Sequence, residues 1–151
     1  MLTSAHLLAG AAIGKLAGNV YLAIPIAFFS HYLLDAVPHY NQKPVINYKE
    51  LGFKGADKTD LLIKALEPAI GLALTAHLIF GIPQATTLPL YLGAFFGWLP
   101  DLLVFLEWKH NIPTPSLIQK FEKAFHRHTN FINGILSQII VSGIAIYILL
   151  N

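Results

Sequence analysis

Apolar residues dominate five stretches of the chain, and polar residues collect in the gaps between them. The stretches run over about Leu2–Ala17, Val20–Val37, Leu61–Ile82, Leu88–Leu106 and Phe131–Leu150. A helix that crosses a bilayer needs roughly 20 mainly apolar residues, and the last stretch supplies them without a single charge. The first is short and contains His6 and Lys15. The third contains Lys64, Glu67 and His77 and is expected to bend at Pro68, and the fourth to be interrupted at Pro100-Asp101. Gly10, Gly14 and Gly18 recur every four residues on the first stretch, as do Gly93 and Gly97 on the fourth. That spacing makes a flat stripe against which another helix backbone can pack closely.

Two polar gaps remain, His39–Asp60 and Glu107–Asn130. In the second, Thr114-Pro115 suits a helix N-cap followed by proline at the first helical position. Leu117, Ile118, Phe121 and Phe125 follow at helical spacing, with Lys120, Glu122 and Lys123 expected to face away. The pattern predicts a short amphipathic helix, lying on the membrane surface or packed as a cap on the bundle. The predicted fold is therefore all-α, a polytopic bundle of about five transmembrane helices plus one interfacial amphipathic helix. It forms a single integral membrane domain over residues 1–151.

Composition agrees with lipid surroundings. The chain is 55% hydrophobic and only 12% charged, against about a quarter charged in soluble domains, and its mean hydropathy is +0.58. Without cysteine there are no disulfides, thiolate ligands or thiol nucleophiles. A net charge of +2 gives no argument for nucleic acid. The first residues lack the basic n-region of a signal peptide, so the first apolar segment is expected to be retained.

Five crossings put the N-terminus and both polar gaps on one side. Those gaps carry Lys43, Lys49, Lys54, Lys58, Lys109, Lys120, Lys123 and Arg127, whereas the other side has only Lys15. Positively charged loops stay cytoplasmic, which places the N-terminus in the cytoplasm and the C-terminus on the opposite side.

The same topology draws His6, His31, Asp35, His39, Asp60, Asp101, His126 and His128 toward the cytoplasmic half, leaving His77 toward the far side. Ionisable groups are expensive inside a membrane and pair with one another facing the bundle interior. His31 and Asp35 are four apart, on one helix face. They can chelate one divalent ion, or the carboxylate can orient a ligating imidazole. His39 follows Pro38, which can fold it back to the same point. Imidazoles with carboxylates and no thiolate suit zinc, manganese, iron or nickel, and several of each suit two ions better than one. Two ions can activate water and stabilise both oxygens of a phosphoester displacement. Arg127 offers a planar fork for phosphate. Lys64 is expected to pair with Asp60 or Glu67, and His77 to be a satisfied polar residue. The alternative is a hydrogen-bonded polar network that only fixes packing. The chain shows no nucleophile triad, phosphate loop or dinucleotide fingerprint.

Four segments carry a family resemblance: Thr3-Ser4-Ala5-His6-Leu7-Leu8-Ala9-Gly10, Phe29-Ser30-His31-Tyr32-Leu33-Leu34-Asp35-Ala36-Val37-Pro38-His39, Gly97-Trp98-Leu99-Pro100-Asp101 and Phe125-His126-Arg127-His128-Thr129. Together they resemble the YdjM-like family of small inner-membrane proteins classed as metal-dependent hydrolases. The second segment is also similar to the His-Tyr-Leu-x-Asp stretch of zinc-dependent phospholipase C and nuclease P1. The resemblance implies a prokaryotic inner membrane location and a metal set of His6, His31, Asp35, Asp101 and His126. The chain departs from the family where Leu102-Leu103 follow Asp101 instead of a second acid. It departs again where His128 and Asn130 break the His-Arg-x-x-Thr-His pattern, so a ligand would be missing or replaced by His128 or Asp60.

The expected function is a metal-dependent hydrolase with one or two divalent ions, zinc first and manganese or iron as alternates. It would act on a phosphoester, with a phospholipid headgroup as the candidate substrate. Asp35, Asp101 and Arg127 are the expected catalytic residues. The competing expectation is a non-enzymatic metal-binding or scaffold protein of the membrane.

Overall fold

A computed structural model describes residues 1–40, 58–82, 87–110, 112–127 and 129–151; within these, the side chains at 58–61, 108 and 109 lie outside the description. The described residues form six helices: α1 (Thr3–Ala17), α2 (Val20–Ala36), α3 (Lys58–Phe80), α4 (Thr87–His110), α5 (Ser116–Phe125) and α6 (Phe131–Leu150). The fold is all-α.

Among the described residues, three segments are long and apolar enough to cross a membrane: Leu62–Phe80 in α3, Thr87–Glu107 in α4 and Phe131–Leu150 in α6. The expectation was about five. Helix α2 is apolar but has only 17 residues, and α1 has 15. What α1 lacks in length it makes up in burial. Ala5, His6, Leu7, Leu8, Gly10, Ala11, Ala12 and Gly14 are all buried, because α1 packs against α2, α3, α4 and α6 at once. A helix apolar on every face belongs in a core, and here that core position is the bundle axis.

The closest packing is between α1 and α4. Gly10 lies against Gly93 and Ala94, Gly14 against Pro89 and Leu90, and Gly97 against His6 and Gly10. Rising numbers on one helix meet falling numbers on the other, so the pair is antiparallel. A Cβ on Gly10 or Gly93 would overlap the facing backbone carbonyl. The two glycine stripes therefore face each other and set the interhelical distance.

The described reversal between α1 and α2 and the start of α6 are capped. Gly18 takes φ 67° and its N–H donates to the Gly14 carbonyl, closing α1 as a left-handed C-cap does. Asn19 and Asn130 then cap α2 and α6 by accepting from the N–H groups of Leu22 and Asn133. Deeper in the bundle, buried Gln138 on α6 accepts from the Leu2 N–H and donates to the Tyr40 carbonyl, tying the start of α1 to the chain after α2.

Two local expectations need correction. Helix α4 is not interrupted at Pro100 but runs continuously to His110. Proline removes one ladder bond, and the flanking turns, packed against α1 and α2, hold the helix together. Helix α5 starts at Ser116, with Pro115 in the N-cap position and no side-chain cap; the Thr114 hydroxyl donates instead to the Leu103 carbonyl of α4.

Candidate metal centre

The glycine seam has a consequence at its lower end. By bringing Gly97 against the His6 backbone, it sets His6 level with the segment that carries Asp101 one turn further along α4. Helix α2 adds His31 and Asp35 from the other side. The rings of His6 and His31 stack with centroids 4.0 Å apart. Both imidazoles are buried, as is Asp35.

His39 and His126 are brought in by backbone pairing. The Arg127 N–H donates to the Asp35 carbonyl, the His39 N–H to the Arg127 carbonyl, and the Thr129 N–H to the His39 carbonyl. This zips the residues after α2 to those after α5. The Ser137 hydroxyl donates to the Pro38 carbonyl and holds the same turn to α6.

Helix α5 closes the cluster. Tyr32 of α2 packs on Phe121 at 5.2 Å and on Phe125 at 6.4 Å between centroids, and Ile118 is buried. The helix is thus a cap packed on the bundle, and its inward face is rotated from the expected one. Leu117 is 62% exposed, whereas Glu122, expected to face away, lies with Oε1 3.2 Å from His31 Nε2. Glu122 is the site residue that sequence reasoning missed. Its position four before His126 was the available signal, since that spacing shares one helix face.

Asp35 is the hub. Its Oδ1 lies 3.2 Å from His6 Nε2 and 3.8 Å from His39 Nε2. Its Oδ2 lies 3.4 Å from His31 Nε2 and 3.3 Å from His126 Nδ1. The Met1 amine also touches Oδ1. Asp101 Oδ1 is 3.8 Å from His31 Nε2.

The tautomers follow from the acceptors. His31 Nδ1 is 3.0 Å from the Gly97 carbonyl and His39 Nδ1 is 2.8 Å from the Val37 carbonyl. A carbonyl only accepts, so both rings carry their proton on Nδ1 and present Nε2 inward. For His31 that places a lone pair against oxygens of Asp35, Asp101 and Glu122, all acceptors when ionised. A cation must lie between them, either a proton or a metal ion.

The outer groups show the strength of this field. Hydrogen bonds to Asp35 and Glu122 raise His126 to about 9 against the effect of burial. Burial raises the Glu122 carboxyl, but hydrogen bonds from His126 and His31 outweigh it and bring it to about 2. Burial lowers His39 to about 4.

Three groups have ligand atoms close enough to share an ion: His6, His31 and Asp101; Asp35, His39 and His126; and His31, Asp35 and Glu122. The first two have no member in common. The spacing fits a small ion. Zinc bound tetrahedrally with Zn–N near 2.0–2.1 Å sets its nitrogens about 3.3 Å apart, and His39 Nε2 and His126 Nε2 are 3.3 Å apart. Buried His6 Nδ1 has no hydrogen-bond partner among the described residues.

Of the expected site residues, His6, His31, Asp35, His39, Asp101 and His126 come together. Arg127 contributes its backbone to the zip, and its side chain is exposed. His128 and the Asp60 side chain lie outside the described residues. Glu67 has a capping role, its Oε1 accepting from the Ser4 N–H at 2.7 Å at the start of α1. His77 is exposed on α3.

No family model, no curated protein and no solved structure matches this chain.

Proposed function

We propose that the protein is a five-crossing membrane hydrolase that cleaves a phosphoester at a two-ion centre near the cytoplasmic interface. In this reading α1 and α2 cross together with α3, α4 and α6, with α1 sheltered from lipid by its neighbours and α2 presenting Tyr21, Phe29 and Leu33 to it. The excess of lysine and arginine in residues 39–60 and 107–130 sets the N-terminus in the cytoplasm. Eleven residues separate His6 from Ala17, about 16 Å at 1.5 Å per residue. In a hydrocarbon core of about 30 Å the cluster then lies close to the midplane, and thinning of the bilayer around the short α1 and α2 would bring headgroups toward it.

His6, His31 and Asp101 would hold one ion, and Asp35, His39 and His126 the other, with Glu122 reaching both through His31 and Asp35. Zinc suits this set best, with manganese or iron as alternates. Bound there, divalent ions would lower the pKa of water and polarise a phosphoester. The chain's own groups orient that chemistry. The Gly97 and Val37 carbonyls fix the His31 and His39 tautomers, and Asp101, 30% exposed, is the acid best placed to meet substrate and take up a proton. Arg127, held beside Asp35 by its backbone, is the candidate phosphate contact. A phospholipid is the substrate most accessible to such a site. The resemblance to YdjM-like hydrolases and to the zinc phospholipase C motif points the same way.

The observation that carries the reading is His31 Nε2, buried among three carboxylates with its Nδ1 proton committed elsewhere. Elemental analysis of detergent-purified protein should find zinc, manganese or iron at one to two ions per chain. The His31→Ala variant should lose most of it, along with release of phosphate-containing product from phospholipid. A protein free of metal, with equal product from both forms, would sink the proposal. The second reading, a packing network, is favoured by one fact. A proton on His126 Nε2 can donate to His39 Nε2 while Nδ1 donates to Asp35, which satisfies those groups without an ion. In that case chelator leaves stability unchanged.

A further inference from the structure

On the far face of α1 from α2, a groove runs between α1, α3 and α4. Its lining includes Leu7, Thr75, Ala76, Tyr91, Phe95 and Trp98, and its volume is about 120 Å³. Helix α3 packs well on α1 but barely on α4, so the groove opens sideways between α3 and α4. Leu72 and Tyr91 stand exposed at its rim, at 55% and 46%. Apart from the Tyr91 hydroxyl and the Trp98 indole N–H, the lining has one polar side chain. Thr75 is 2% exposed, and its hydroxyl has no hydrogen-bond partner among the described residues. A buried hydroxyl left unpaired is costly, and a threonine on a helix ordinarily bonds back to its own preceding turn.

The groove is also placed relative to the metal cluster. Gly71 lies against Ser4, so Thr75, one turn further, is level with Leu7, the neighbour of His6. Trp98 is one turn from Asp101 on α4. The groove therefore ends about one helical turn from the level of Asp101, whose carboxylate lies toward His31 of α2.

We propose that this groove binds one acyl chain of a membrane lipid, with the Thr75 hydroxyl donating to the carbonyl oxygen of the acyl ester. The volume supports part of one chain and no more, since a cavity of about 150 Å³ lined by aliphatic and aromatic groups accepts a benzene ring. An apolar slot that opens between membrane helices faces acyl chains before any other ligand. A headgroup phosphoester at Asp101 and a chain in the groove belong to one molecule, so the proposal rests on the hydrolase reading for its purpose. It does not rest on it for the binding.

The chain has two tryptophans, and Trp108→Phe leaves Trp98 as the reporter. A phospholipid brominated on its acyl chains is titrated into this variant in detergent with a chelator present. Trp98 fluorescence should be quenched saturably, approaching one lipid per chain. Adding Ala76→Phe, at an exposed position on the rim, should abolish the saturable component. Thr75→Val keeps the shape but removes the donor, and should weaken binding about tenfold. Quenching that rises linearly with lipid and is the same in all three proteins overturns the proposal. The assay contains no metal, so its outcome is independent of hydrolysis. Saturable quenching in a protein that cleaves no phosphoester would leave the lipid site standing and remove only the enzymatic reading.

Discussion

The two ends of the α1–α4 pair solve opposite problems with the same two helices. Over Gly10, Gly14, Gly93 and Gly97 the backbones touch and no side chain intervenes. One turn below, at His6 and Asp101, the interface with α2 is filled by imidazoles and carboxylates 3.2–3.8 Å apart. The seam has no free volume and one solution. The cluster is assembled from α1, α2, α4, α5 and the segments that follow α2 and α5, and its groups lie close enough to share a cation. Rigidity in the seam is what lets the cluster be polar. If α1 could slide or lift, His6 and His31 would separate and strand buried polar groups, at a cost of about 1–3 kcal/mol each.

Breaking the seam should have the largest effect. In Gly10→Leu the new side chain meets the Gly93 carbonyl and the Ala94 backbone, neither of which can rotate away. Overpacking a core costs about 1–3 kcal/mol when side chains can shift, and here the cost should exceed that range. The expected outcome is loss of a monodisperse peak in detergent size-exclusion chromatography, with metal content lost too. A folded, metal-loaded Gly10→Leu protein would mean that the helices are not in backbone contact.

Next in size are the candidate ligands. Asp35→Asn keeps the shape but removes the charge that four imidazoles share. It should reduce zinc affinity by about a hundredfold or more, the upper end of what even outer-shell partners contribute, while the fold persists by circular dichroism. Glu122→Gln should reduce affinity by about tenfold, because Glu122 approaches two imidazoles where Asp35 reaches four. Equal losses in the two variants would place Glu122 at the hub. Competition titration with a chromophoric chelator measures both.

A smaller effect is expected where the cap meets the bundle. Phe121→Ala removes the ring that packs on Tyr32. Burial of an aromatic side chain is worth up to about 3 kcal/mol, and Phe121 is half-buried, so about 1–2 kcal/mol is the expected cost to α5 docking. Limited proteolysis between α4 and α5 should accelerate while the membrane helices stay protected. Unchanged cleavage would show that the zip at Asp35, Arg127 and His39 holds α5 without the aromatic contact.

Much of this was readable in the chain, in proportion to how local the cause was. The starts of α2 at Val20 and α6 at Phe131 are marked by asparagine just before a continuous apolar run. The glycine stripes could be read as close-approach surfaces, although not that they face each other. The histidines and acids could be sorted to one end because a helix fixes depth from sequence position alone. What was not legible depends on rotation and on neighbours. Glu122 was assigned outward because Leu117 was counted with Phe121 and Phe125. Tyr32 selects a face turned toward Ile118, and that choice is made by α2. Pro100 reads as a break in isolation and becomes a helical residue only when α1 and α2 clamp the turns around it. The central position of α1 was hidden for the same reason, since a short helix with a histidine and a lysine reads as a weak span until four neighbours surround it.

The sharpest contrast with the seam comes from a glycine that should tolerate everything. Gly143 lies on α6, and a Cβ added there meets nothing within 4 Å. Beside it on the helix surface Ile139, Ile140, Ile144 and Tyr147 are exposed at 62%, 52%, 57% and 68%, so this face is turned to lipid or to a partner. Gly143→Leu adds an apolar side chain to an apolar surface and removes a poor helix former, worth about 1 kcal/mol relative to alanine. If the face meets only lipid, thermal stability in detergent should stay the same or rise slightly, and zinc content should not change. If Gly143→Leu destabilises the protein, something packs on α6 as closely as α4 packs on α1. Cross-linking in native membranes, parent against variant, then tells whether that neighbour is a second copy of this chain.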